Sequence, residues 1–206
     1  MRALLRVEEG GPVLILLDAA GALAAGLYSV GSKDGPKLKL FNAEMKVLMY
    51  LRVTDAGPTV ELRDVAGELQ ANLDVDRNAT DLNLADAASI LWAALNVPMD
   101  EMHLNLYDAA GKLQTFLGVK DARSTVELRD AGGKVRAVLG VGTANLEFML
   151  HDAGGNLRAS LVVGKDGCRL RLCDAAGKVR ARLNVDKDGL DLVLLDEKGE
   201  VIWSAP

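Results

Sequence analysis

This chain has two cysteines, two histidines, five prolines and only 4% aromatic residues in 206 positions, and each shortage excludes something. Cys168 and Cys173 stand five apart in a predicted strand, an odd spacing that sends their side chains to opposite faces, so they do not pair with each other. Two thiols make no disulfide framework, and without CxxC or Cys/His spacing there is no zinc signal. No run of about 18 apolar residues is present to cross a membrane as a helix, and the first residues lack the apolar region of a signal peptide. The chain as given therefore reads as soluble and unexported: cytoplasmic by default, cell-surface or extracellular if an upstream signal was removed. With so few aromatics the core must be aliphatic. A net charge of -5 gives no global attraction for nucleic acid or anionic membrane, so neither partner is expected.

What is present is a repeat. Asp64, Asp86, Asp108, Asp130, Asp152, Asp174 and Asp196 recur every 22 residues without insertion; Asn42 holds the same slot earlier, and Asp18 lies 24 residues before it, making nine repeats. Apolar residues alternate within each repeat, as in a strand with one buried face. Around Asp174 these are Leu170 and Leu172 before it, then Val179, Ala181, Leu183 and Val185. Each repeat is thus a short strand, a tight turn, a longer strand and a second turn, and no segment has helical period.

The tight turns are Asp18 to Gly21, Asp64 to Gly67, Asp108 to Gly111, Asp130 to Gly133, Asp152 to Gly155, Asp174 to Gly177 and Asp196 to Gly199. Asp at the first position accepts local N–H groups, and Gly at the fourth suits positive φ. Pairing Asp with Gly across the turn sets Leu172 opposite Val179 and Leu170 opposite Ala181, on one face. The expected fold is all-β: one array of two-strand repeats forming a curled or spiralling series of hairpins, with a two-sheet β-solenoid as the alternative. Column-wise stacking of Arg136, Arg158 and Arg180 weighs against the solenoid. The array divides into a half-repeat (1–11), two divergent repeats (12–58), six regular repeats (59–189) and a C-terminal capping repeat (190–206).

The unit L-x-L-x-D-A-x-G-K-V-R-A-x-L-x-V resembles a tandem repeat of uncharacterised bacterial proteins, which often finish on a unit similar to Asp196–Pro206. Leu106–Leu113 is also similar to the core of YD/Rhs repeats, and that resemblance implies large curving sheets of hairpins and a structural role.

Catalytic chemistry has little to work with. His103 and His151 are more than two repeats apart, no Ser or Thr has a base at suggestive spacing, and Gly132-Gly133 precedes a strand where a phosphate loop needs a helix. Turn chemistry accounts for the periodic carboxylates better than a ladder of calcium ligands, so no metal, cofactor or enzymatic activity is expected. Between Ser124 and Gly189 basic residues exceed acidic ones, and Arg136, Arg158, Arg171, Arg180 and Arg182 form a candidate polyanion face for a glycan or other polymer. Early in the chain, slots that elsewhere carry charge hold Leu4, Ile15, Leu17, Tyr28, Phe41, Leu48 and Tyr50. These, with the incomplete first repeat, point to self-association into a filament, shell or oligomeric scaffold. Trp92, Tyr107 and Phe116 form a smaller set of the same kind.

Overall fold

A computed structural model describes residues 2–28 and 35–205, in two compact units: residues 1–100 with 109–111, and residues 101–108 with 112–206. Met1, Pro206 and the longer connection after Tyr28 lie outside the described residues. The protein is all-β, with nineteen strands and no helix among the described residues. The first unit carries β1 (Arg2–Glu8), β2 (Gly11–Leu17), β3 (Leu23–Tyr28), β4 (Lys37–Phe41), β5 (Val47–Val53), β6 (Pro58–Arg63), β7 (Leu69–Val75), β8 (Ala79–Ala85) and β9 (Leu91–Pro98). The second carries β10 (Glu101–Tyr107), β11 (Leu113–Lys120), β12 (Arg123–Arg129), β13 (Val135–Val141), β14 (Asn145–His151), β15 (Leu157–Gly164), β16 (Gly167–Cys173), β17 (Val179–Asp186), β18 (Gly189–Leu195) and β19 (Val201–Ala205). Within each unit every strand pairs antiparallel with its neighbour in sequence: β13, for instance, lies between β12 and β14. A solenoid would stack β13 beside its equivalents β11 and β15, so the hairpin form is the one adopted.

The D-x-x-G turn explains the hairpin geometry. At Asp174 the backbone N–H of Gly177 donates to the Asp174 carbonyl at 3.0 Å, and the N–H of Asp174 donates to the Lys178 carbonyl at 2.9 Å. Gly177, at φ +78°, is the left-handed residue that turns the chain into the second strand. The extra residue makes a bulge in the second strand: Leu172 faces Ala181 and Leu170 faces Leu183, while Cys173 faces Val179. The register expected from pairing Asp with Gly is therefore corrected by two residues. Face parity is unaffected, because a shift of two keeps each side chain on its own side.

Two turns of this type lack glycine at the left-handed position: Met45 has φ 65° and Ser89 has φ 58°. Asn42 replaces Asp without loss, its Oδ1 accepting the N–H of Glu44 at 3.1 Å and of Lys46 at 2.9 Å. Met45→Gly and Ser89→Gly each remove left-handed strain and gain about 0.5–1 kcal/mol after glycine's greater unfolded-state freedom is subtracted. Denaturant titration followed by circular dichroism is expected to show both midpoints raised.

The burial of the two faces reverses the expectation from alternation. The apolar set carries no charged side chain in any strand, yet Leu128 is 49% exposed, Leu172 47%, Leu62 45% and Leu84 45%. The polar set holds the most buried positions, including Val13, Ala94 and Val193 at 4% and Ser160 at 7%. The reason is layering. Within each unit the strands pair only with their sequence neighbours, and the exposure of Leu62, Leu84, Leu128 and Leu172 leaves no second layer over the aliphatic face there. On the polar face, long side chains lie over small ones: the Phe116 ring covers Gly118, the Tyr28 ring Gly26, and the Arg123 guanidinium Gly140.

Candidate functional site

Three features of the two faces carry chemistry: the turn carboxylates, the arginines beside them and the uncovered aliphatic ladder. Each turn Asp is a hub. Asp130 Oδ1 accepts the N–H groups of Gly132 at 2.9 Å and Lys134 at 3.1 Å, while Oδ2 meets Arg136 Nη1 at 3.3 Å. Asp152 repeats the pattern with Gly154, Asn156 and, at 3.5 Å, Arg158. Earlier in the chain the partner six residues on is Gln70, Trp92 or Gln114. These bonds favour the ionised form. The Lys134 N–H foremost, and the Arg136 side chain after it, hold the Asp130 carboxyl below the usual carboxylate range; the Asn156 N–H leads for Asp152 and the Glu200 N–H for Asp196. For Asp86 the leading cause is Trp92, whose indole Nε1–H donates to Oδ2 at 2.8 Å.

Long cations stitch successive repeats. Lys46 Nζ donates to the Ala66 carbonyl at 3.1 Å, Lys134 Nζ to Ala153 at 2.9 Å and Lys178 Nζ to Glu197 at 3.2 Å. Arg136 Nε donates to the His151 carbonyl at 2.9 Å, and Arg158 Nε to that of Cys173 at 3.1 Å. The proposed polyanion stripe thus splits by role. Arg136, Arg158 and Arg180 all approach their own turn Asp, Arg180 Nη1 at a longer 3.9 Å from Asp174; Arg182 meets Asp191 at 3.3 Å; Arg171 makes no side-chain hydrogen bond or ion pair among the described residues.

The early apolar set does share one face of the first unit, with Leu4 opposite Ile15, and all but Leu4 are half-buried. Tyr50 lies under Lys39 Nζ, 5.2 Å from its ring centroid, and under the Arg52 guanidinium at 6.0 Å. These residues are on the polar-parity side, opposite the exposed ladder. Trp92 is tied to its turn, and Phe116 sits 5.9 Å from the His103 ring. His151 Nδ1 is buried without an acceptor, and its ring is on a different strand from His103. Cys168 and Cys173 are free thiols on opposite faces, and no three His, Cys, Asp or Glu side chains cluster as metal ligands among the described residues. No helix of the described residues is long and apolar enough to cross a membrane.

The sequence reading missed the residue six places after the turn Asp as its partner in the six turns from Asp64 to Asp174. The signal was present, since Gln70, Trp92, Gln114, Arg136, Arg158 and Arg180 recur at the same 22-residue interval, and each is a hydrogen-bond donor.

No protein-family model and no curated protein matches the sequence. Among solved structures the chain is similar to one in "Structure of Photorhabdus luminescens Tc holotoxin pore, Mutation TccC3-D651A", at 9% identity and a TM-score of 0.20, over 96% of this chain. It spans 15% of that chain's length, and a likeness this distant carries no argument about function.

Proposed function

We propose that this is a non-enzymatic structural protein that self-associates, two copies packing their aliphatic faces against each other. The observation that supports this reading is the uncharged ladder of Leu, Val and Ala left open in both units. A soluble sheet of this kind ordinarily buries its apolar face under a second layer, and each unit has only one.

The regularity of the ladder favours a second copy as that layer. The ladder repeats the same large and small slots every two strands, about 9.6 Å, so one copy's ridges match another's grooves at the roughly 10 Å spacing of stacked sheets. A bilayer is the poorer occupant, because Phe148 and Trp203 are the only aromatics on the apolar side among the described residues, too few for a girdle at each interface. Static light scattering across a hundredfold concentration range is expected to give a dimer or larger assembly. A monodisperse monomer throughout would overturn the reading.

A further inference from the structure

The polar face of the second unit contains a group of arginines that the turn carboxylates do not fully neutralise. Arg171 on β16 and Arg182 on β17 face each other directly across the pair, like charge against like. One step along the same two strands Arg169 faces Asn184 and donates to its Oδ1 at 3.0 Å; in the other direction, at the bulge, Arg180 lies beside Cys173. Across β15, Arg158 meets Asp152 and Ser160 stands directly opposite Arg171. Five arginines are thus gathered on three adjacent strands, with Asp152, Asp174 and Asp191 as their ion-pair partners.

Three observations single out the middle of this group. Arg171 makes no side-chain hydrogen bond or ion pair among the described residues, although its neighbours on the face are almost all engaged. Two donors next to it, Arg180 Nη1 and Arg182 Nε, are buried without a hydrogen-bond acceptor. Ser160, 7% exposed, puts a hydroxyl on the side of Arg171 away from Arg182. A guanidinium N–H buried without an acceptor is costly, and two like charges facing each other across a strand pair repel. A tetrahedral oxyanion answers both problems, because its several acceptor oxygens take bidentate bonds from planar guanidinium forks and its charge offsets the repulsion.

We propose that Arg171 and Arg182, flanked by Arg180 and Ser160, form a binding site for a sulfate- or phosphate-type oxyanion group. This site is independent of the aliphatic ladder, which is on the opposite face of the same strands. It is also narrower than a general polyanion stripe, since Arg136 and Arg158 are each held by their own turn Asp and by a carbonyl of the next strand.

Calorimetric titration with inorganic sulfate, inorganic phosphate and a sulfated hexasaccharide, each against chloride at constant ionic strength, tests it. Saturable binding of the divalent oxyanions over chloride is expected, weakened about tenfold or more in Arg171→Ser. Arg123→Ser removes the same charge from the same face, where Arg123 pairs with Glu147 at 3.3 Å, and is expected to leave the affinity within about twofold. Ligand-free Arg171→Ser is expected to melt no lower than the parent, because it relieves repulsion and breaks no bond. The hexasaccharide binding more tightly than free sulfate marks a sulfated polymer as the source of the group; equal affinities mark the free ion. No preference over chloride, or equal losses in Arg171→Ser and Arg123→Ser, would overturn the site.

Discussion

Gly167→Ala is expected to cost about 3 kcal/mol or more, while Gly177→Ala, ten residues further on, costs about 1 kcal/mol. Both glycines have positive φ, +144° and +78°, but they differ in surroundings. A Cβ on Gly177 meets nothing within 4 Å, so only the backbone conformation resists it. A Cβ on Gly167 overlaps the carbonyl oxygen of Val185 and presses on Asp186, on the paired strand β17, where the backbone has no freedom to retreat without breaking the ladder. Gly57 repeats the situation against the Val75 carbonyl in the first unit, so Gly57→Ala belongs with Gly167→Ala. Equilibrium denaturation in urea of the three variants reads the order directly. Equal losses at Gly167 and Gly177 would show that conformational strain alone, and not the close approach of the neighbouring strand, decides these turns.

That contrast marks how far the sequence could be read. The turn from Asp174 to Gly177 was legible because both ends of its chemistry are side-chain identities: a carboxylate that accepts N–H groups and a residue free to take positive φ. The constant 22-residue interval made the array legible but suits a solenoid as well, and only the column of Arg136, Arg158 and Arg180 weighed toward hairpins. The two-residue register shift was not legible, since the bulge opposite Cys173 comes from how a left-handed fourth residue re-enters the ladder, and alternation looks the same for either register. Nor was the inversion of burial. Alternation separates apolar from polar positions but does not say which side another layer covers, and Leu172 at 47% exposed against Ser160 at 7% depends on how side chains lie over one another on the folded sheet. The arginines show the same boundary. Their clustering was visible in the chain, but that Arg158 is spent on Asp152 and the Cys173 carbonyl while Arg171 is left unpaired depends on cross-strand geometry.

The aliphatic ladder yields the second large effect. Leu139→Glu and Leu117→Glu place a carboxylate at positions 38% and 40% exposed in the single chain, both on the uncovered face of the second unit. If that face met only water, each change would fall within about 0.5 kcal/mol of neutral, as surface substitutions do. If two copies stack there, a two-fold interface counts each substitution twice, and each one removes about 1.5–3 kcal/mol of leucine burial and sets an unpaired carboxylate in an apolar layer. Association is therefore expected to weaken by at least about 100-fold, moving the light-scattering mass to that of one chain while circular dichroism keeps its β signature. Asn105→Asp adds the same charge on the opposite face of the same unit, across from Phe116, and is expected to leave the assembly intact. Dissociation by Asn105→Asp as well would assign the effect to net charge. An assembly indifferent to both leucine changes would move the contact off the ladder, toward the half-buried face that holds Ile15, Phe41 and Tyr50.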